Sequence, residues 1–160
     1  MPSSQHVYST SFNNDGSEVA CGTGGGKLCG FDPVSQKVTY DIQAHALPVR
    51  SLCFQSHQQV VYTASDDRTV VVSDVRTNKA VQSFSHNGMC LSVDASPDGR
   101  HFICGSTDNT VTLWDLGMRS LVTSYSTHTD QVWSVRYDRT DKTGRRFVSG
   151  GDDSLLQLYE

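Results

Sequence analysis

Residues 86–115 read HNGMCLSVDASPDGRHFICGSTDNTVTLWD, and variants of this segment recur along the whole chain. Within it, short runs that alternate apolar and polar residues are separated by turn-forming residues, and a dipeptide ending in an acidic residue closes the segment. The closing dipeptides are Phe31-Asp32, Ser73-Asp74, Trp114-Asp115 and Tyr159-Glu160, spaced 41 to 45 residues apart. An internal repeat of fixed length outranks other sequence signals when a fold is assigned.

A repeat of this length, made of short strands, is typical of one four-stranded blade of a β-propeller. Alternation predicts a first strand near residues 7–12, 49–54, 90–95 and 132–137, a second near 18–23, 60–65, 101–106 and 146–151, and a third near 27–32, 69–74, 110–115 and 155–160. A fourth strand is predicted near 38–42, 80–84 and 121–125, and the last unit has none. The prediction is an all-β, single partial propeller over residues 1–160 with four antiparallel blades, at about 1–43, 44–84, 85–126 and 127–160.

Composition disfavours nucleic acid and membranes as direct partners. Thirteen Lys and Arg against 17 Asp and Glu give a net charge of −4, with no basic run. No apolar stretch of about 18 residues could span a membrane, and the polar start lacks the core of a secretory signal, so we expect a soluble intracellular protein. The cysteines fall within strand patterns without a CxxC pair, which favours buried reduced thiols over a disulfide or a zinc site, and we expect no cofactor. They are Cys21, Cys29, Cys53, Cys90 and Cys104.

A histidine, a small residue and an aspartate recur at the blade period. The histidines are His45, His86 and His128, the small residues are Thr63, Cys104 and Ser149, and the aspartates are Asp67, Asp108 and Asp153. A buried carboxylate is costly unless donors fill its acceptor sites, and an imidazole and a hydroxyl can do so. Although His, Asp and Ser also form hydrolase triads, an active site occurs once whereas scaffolding recurs. We therefore predict a structural role and no enzymatic activity.

These spacings resemble the WD-repeat family, in which His, Ser or Thr, Asp and the Trp of the closing dipeptide form a hydrogen-bonded tetrad. The resemblance implies that Trp114 completes the third set and Tyr159 the fourth. The chain departs from the pattern at Ser73, which replaces the second Trp, and at Cys104, which replaces a hydroxyl. The first unit has Ser3, Cys21 and Gly25 at the tetrad positions, so we expect it to be the least rigid blade.

A finer resemblance concerns the superkiller-complex group of WD-repeat proteins, also found in the Paf transcription elongation complex. Similar segments are HALPVRSLCF, TASDDRTVVVSD, DGRHFICGSTDNTVTLWD and HTDQVWSVRYD. The resemblance implies a non-enzymatic scaffold in mRNA decay and transcription elongation, located in cytoplasm and nucleus. It also implies helical-repeat and helicase-type subunits as protein partners.

The resemblance further implies a protein-binding surface, the top face, formed by the third and fifth residues after each tetrad His and the residue before each tetrad Asp. Carried onto this chain, these are Pro48, Arg50, Asp66, Met89, Leu91, Thr107, Gln131, Trp133 and Asp152, with His6, Tyr8 and Gly24 from the first unit. Exposed aromatic and aliphatic residues with one Arg are the composition of a binding hot spot. Arg50 and Trp133 are the principal candidates; the alternative for Trp133 is that it packs sideways into its own blade.

Four blades make up about four-sevenths of the usual seven-bladed ring, so apolar flanks would be left at both ends. We expect a second polypeptide, a second copy or the rest of a longer product to cover them and to add a strand beside residues 155–160. One rival function is a substrate receptor of a cullin ubiquitin ligase, because the stretch containing Asp74 and Arg76 resembles a box that docks the ligase adaptor. Another is a small-ligand or catalytic domain using the central channel, although no polar groups converge on one point.

Overall fold

The computed structural model describes residues 6–55 and 59–160 and places every strand in one of four antiparallel sheets. The first sheet contains β1 (Val7–Phe12), β2 (Val19–Thr23), β3 (Lys27–Phe31) and β4 (Val38–Gln43). The second contains β5 (Val49–Phe54), β6 (Val60–Ser65), β7 (Thr69–Asp74) and β8 (Lys79–Ser85). The third contains β9 (Cys90–Ala95), β10 (His101–Ser106), β11 (Val111–Asp115) and β12 (Ser120–Tyr125), and the fourth contains β13 (Val132–Tyr137), β14 (Phe147–Gly151) and β15 (Leu156–Tyr159).

The strands follow the alternating pattern of the sequence, and in each sheet they are paired in chain order. The predicted all-β class with four antiparallel blades is confirmed, and the fourth sheet has three strands, as predicted. The blade limits at residues 43, 84 and 126 remain a prediction. Across the described ranges, no helix has the length and apolarity needed to cross a bilayer.

The hydrophobic core is divided into three clusters, one in each gap between neighbouring sheets. Leu28 and Phe54 lie between the first and second sheets, and Tyr62 and Phe102 lie between the second and third. A third cluster, containing Ile103, fills the gap before the fourth sheet. Burying one large aliphatic or aromatic side chain contributes about 1.5 to 3 kcal/mol, so each sheet depends on its neighbours for stability.

Polar contacts also cross the gaps between sheets. The backbone N–H of Val93 donates to the hydroxyl of Ser51 (3.3 Å), and that of Val135 donates to the hydroxyl of Ser92 (3.2 Å). Ser51 and Ser92 occupy the same position in β5 and β9, the first strands of two neighbouring sheets. The repeat therefore places one serine hydroxyl where it fixes the next sheet.

Both outer flanks of the described structure carry exposed apolar side chains. Phe12 is 63% exposed, whereas Phe54, its equivalent in the second sheet, is 6% exposed. At the other flank Leu156 is 77% exposed, whereas its equivalents Val70 and Val111 are 0% exposed. The side chain at the same repeat position is thus buried between two sheets and exposed to solvent at an outer flank.

Candidate functional site

The first strand of every sheet is interrupted by a β-bulge at the same repeat position. The ladder between the first and second strands skips Tyr8, Arg50, Leu91 and Trp133. A bulge leaves one residue out of the pairing and redirects its side chain, which is why bulges are enriched near functional sites. These four residues are the predicted fifth positions of the top face, and sequence analysis did not foresee the bulge that presents them.

A backbone hydrogen bond repeats beside each bulge and joins the other two predicted positions of each unit. The N–H of Gly24 donates to His6 O (2.8 Å), that of Asp66 to Pro48 O (3.1 Å), that of Thr107 to Met89 O (3.0 Å) and that of Asp152 to Gln131 O (2.9 Å). The three predicted residues of each unit therefore lie together at one end of their sheet. All four sheets carry the same small framework, with different side chains on it.

The exposure of the top-face side chains differs among the sheets. Trp133 is 52% exposed, Tyr8 is 50% exposed and Met89 is 43% exposed, so each presents a large apolar area to solvent. The expected exposure of Leu91 is wrong, because its side chain is only 8% exposed. Burying a flexible aliphatic side chain is favourable, and Leu91 is the only aliphatic residue among the four bulge positions.

Arg50 is held in place by residues of two sheets. Its guanidinium donates to both carboxylate oxygens of Asp66, with Nη2 at 2.7 Å from Oδ2 and Nε at 2.9 Å from Oδ1. The guanidinium carbon also lies 5.2 Å from the centre of the Tyr8 ring, within the range of a cation–π contact. The charge of Arg50 is thus already balanced, and the side chain is presented in a fixed orientation.

The second unit forms the predicted contacts of His45. Its Nδ1 lies 2.9 Å from Asp67 Oδ2, and its Nε2 lies 2.8 Å from the hydroxyl of Thr63. Burial lowers the pKa of His45 below its usual value despite the opposing effect of Asp67, so the ring is favoured in its neutral form. The hydroxyl of Ser73, at the Trp position, is buried and has no hydrogen-bond partner in the described structure.

The fourth unit forms a similar set with a tyrosine. His128 Nδ1 lies 2.8 Å from Asp153 Oδ2, and its Nε2 lies 2.7 Å from the hydroxyl of Ser149. The phenol of Tyr159 reaches Ser149 (3.0 Å) rather than the imidazole. Tyr159 therefore takes the place of tryptophan by bonding the hydroxyl of Ser149, whereas Trp114 of the third unit bonds the imidazole directly.

In the third unit the predicted bond between His86 and Asp108 is not formed. His86 Nδ1 donates to Phe84 O (3.2 Å), and its Nε2 accepts from the indole N–H of Trp114 (3.0 Å). Asp108 instead accepts from the backbone and hydroxyl of Thr110. Cys104, a weak donor, stands where the second and fourth units have a hydroxyl, and Nε2 lies 3.0 Å from the hydroxyl of Thr112 instead.

Cys90 and Cys104 lie beside His86, an arrangement that the strand pattern did not predict. The ligand atoms of the three residues lie within 4.8 Å of one another, and both cysteines are fully buried. The neighbouring Cys104 thiol and His86 lower the pKa of the Cys90 thiol, although burial opposes this shift. The signal in the sequence was that two cysteines of one unit replace Val49 and Thr63 of the preceding unit.

The residues of the predicted adaptor box and the tetrad positions of the first unit do not belong to the top face. Asp74 and Arg76, the proposed adaptor box, form an ion pair (3.0 Å) where β7 ends and the turn to β8 begins, at the end of the sheet opposite the top face. In the first unit, Cys21 pairs across the ladder with Cys29, and Ser3 lies outside the described residues. All five cysteines are free and buried.

Comparison with known proteins identifies the repeat. The profile described as "WD domain, G-beta repeat" matches residues 36–74, 78–115 and 119–160. A WD repeat-containing protein SL1-17 from Schistosoma mansoni is 36% identical over 156 residues, 96% of this chain and 50% of the relative. LEC14B protein from Lithospermum erythrorhizon is 32% identical over 69% of this chain and 24% of the relative, and a guanine nucleotide-binding protein subunit beta from Zea mays is 29% identical over 96% and 44%. The chain thus spans between a quarter and half the length of these relatives.

Proposed function

Because the chain belongs to the WD-repeat family, we propose that it is a non-enzymatic scaffold that binds partner proteins through its top face within a multisubunit complex. The repeated bulge carries the proposal, since it turns one side chain per sheet out of the ladder at the same end of the molecule. A half-exposed Trp133 is the kind of anchor that dominates binding energy at protein interfaces.

A structural role for the histidine sets supports the non-enzymatic part of the proposal. His45 and His128 are buried, and both ring nitrogens of each are occupied by a carboxylate and a hydroxyl of the same sheet. A general base must reach a substrate proton, and these rings face their own sheet instead. Their geometry fits a role in holding a turn and a loop together.

We propose that further sheets cover both outer flanks, supplied by a second polypeptide, a second copy or the rest of a longer product. The exposure of Phe12 and Leu156 supports this, because their equivalents are buried wherever a sheet lies alongside. Ser134 adds a polar argument: it occupies the position of Ser51 and Ser92, which accept a bond from the following sheet, and it is exposed. A strand added beside β15 would pair its outer edge.

We also propose which multisubunit complexes contain this scaffold. The four similar segments favour the superkiller RNA-decay complex in the cytoplasm and the Paf elongation complex in the nucleus, with helical-repeat and helicase-type subunits as partners. The relatives described above carry other names, so this assignment depends on those segments alone.

The test is affinity capture of partners from native lysate, followed by mass spectrometry. Trp133→Ala is compared with Met118→Ala, because Met118 is 79% exposed in the turn at the opposite end of its sheet. We expect a helicase and a helical-repeat protein to be recovered with the wild type and with Met118→Ala, and to be lost with Trp133→Ala. Equal recovery with both variants would overturn the top-face proposal. Cullin adaptors, lost on Arg76→Ala, would instead support the ligase receptor.

A further inference from the structure

The third sheet holds a group of metal-ligand side chains that the scaffold role does not use. His86, Cys90 and Cys104 bring one imidazole nitrogen and two sulfur atoms within 4.8 Å of one another. Both cysteines are 0% exposed and His86 is partly buried, so the group is largely shielded from solvent. Two thiols and an imidazole at this range are a donor set for a borderline-soft cation.

The orientation of His86 suits ligation. Its Nδ1–H donates to the carbonyl of Phe84, which leaves the lone pair on Nε2. Metal-bound histidines characteristically donate the other ring N–H to a carbonyl or a carboxylate, which fixes the ring and its tautomer. Nε2 now accepts a hydrogen bond from the indole of Trp114 and lies 3.0 Å from the hydroxyl of Thr112, and a cation would displace both contacts.

We infer that His86, Cys90 and Cys104 form a binding site for a zinc ion. Zinc bonds of about 2.3 Å to sulfur and 2.0 Å to nitrogen require the three ligand atoms to draw together by a small side-chain movement. A water molecule would complete the tetrahedron. Each thiol releases its proton to solvent on binding, so the two thiolates balance the charge of the divalent ion.

The rest of the repeat supports this assignment. The second sheet places Val49 and Thr63 where the third places Cys90 and Cys104, and there the histidine holds its aspartate. In the third sheet both positions are cysteine, and the histidine has left Asp108 and lies beside the two sulfurs. Two replacements in one unit thus change a structural tetrad into a set of metal ligands.

The experiment uses the full chain, purified under reducing conditions and stripped of metal. Zinc content is measured after dialysis against zinc, and cobalt is used as a spectroscopic probe whose absorption reports thiolate ligation. Cys90→Val and Cys104→Thr install the residues of the second sheet and are expected to fold, which circular dichroism checks. Cys29→Ala removes a thiol of the first sheet and serves as the matched control.

We expect about one zinc per chain in the wild type and in Cys29→Ala, with affinity weakened more than about 100-fold in Cys90→Val and in Cys104→Thr. In a Trp133→Phe background Trp114 is the sole tryptophan, and its fluorescence should change on zinc binding as its N–H leaves His86. Substoichiometric uptake, equal uptake by folded variants, or a disulfide between Cys90 and Cys104 in place of metal would overturn the inference.

Discussion

Arg50 binds Asp66 through three hydrogen bonds, and the pair joins two sheets because the same guanidinium lies against the ring of Tyr8. Tyr8 belongs to the first sheet, where Gly25 and Cys21 stand at tetrad positions. The contact therefore ties the unit that lacks a tetrad to a neighbour in which His45 bonds Asp67 and Thr63.

The Arg50–Asp66 pair is expected to orient the top face more than it stabilises the fold. A double-mutant cycle with Arg50→Ala and Asp66→Ala should give a coupling energy of about 0.5 to 1 kcal/mol in urea denaturation, because the arginine side chain is 39% exposed. The coupling should shrink at about 1 M salt, where exposed charges are screened. A coupling of about 3 kcal/mol would show that the pair behaves as a buried one.

Asp67 and Asp108 occupy the same repeat position but should differ in their effect on stability. Asp67→Ala should cost about 2 kcal/mol, because it leaves the buried His45 without its acceptor. Asp108→Ala should cost about 1 kcal/mol or less, because within the described residues the Asp108 carboxylate accepts only from Thr110 of its own turn. Chemical denaturation measures the free energy of unfolding of both variants, and equal losses would show that the two carboxylates contribute equally to stability.

Removal of Arg139 should weaken the junction of the third and fourth sheets. Asp94 is 1% exposed and accepts from Arg139 Nη2 and from the backbone of Tyr137. Arg139→Ala should cost about 2 kcal/mol near pH 7, less than for a fully buried pair because the arginine is half-exposed. A second substitution, Asp94→Asn, should recover part of this loss.

The loss caused by Arg139→Ala should depend on pH. Burial raises the pKa of Asp94, so its folded form holds a proton more readily than its unfolded form, and that contribution to stability fades as the pH rises. Without Arg139 the deficit should therefore be largest at neutral pH and smaller near pH 4. A deficit that stays constant across this range would show that the charge of Asp94 is not its source.

His45 should titrate below the ordinary histidine value of about 6.5, because burial lowers its pKa. The unfolded chain then binds the proton more readily than the folded chain, so this histidine makes the protein less stable as the pH falls below about 6.5. NMR titration of the ring Hε1 measures the midpoint directly, and His45→Asn should remove this part of the pH dependence. A midpoint at or above 6.5 would contradict the prediction.

The strands could be predicted because period and alternation report backbone pairing directly. The first strands of the four sheets were placed at the observed limits, including β1 (Val7–Phe12) and β13 (Val132–Tyr137). The missing fourth strand of the last sheet was also predicted. The alternation of residue types cannot show a bulge, because the ladder skips Trp133 without any change in that alternation.

Side-chain partners were harder to predict, because they depend on several residues at once. His86 keeps its place in the repeat, but its Nδ1–H donates to Phe84 O instead of Asp108, and Trp114 and the hydroxyl of Thr112 lie at its Nε2 in place of a tetrad hydroxyl. Leu91 occupies an exposed repeat position and is buried, since an aliphatic chain gains by leaving water. The His86 error arose from transferring a family role to a unit in which Cys104 replaces the tetrad hydroxyl.

The bulges in the four first strands make the identity of one side chain in each sheet independent of the strand pairing. A residue skipped by the ladder can be exchanged without shifting the register of its strand, and the backbone bond beside it uses main-chain atoms only. Tyrosine, arginine, leucine and tryptophan already share this setting. A single substitution at one of these positions can therefore change which partner is bound while the sheets themselves keep their structure.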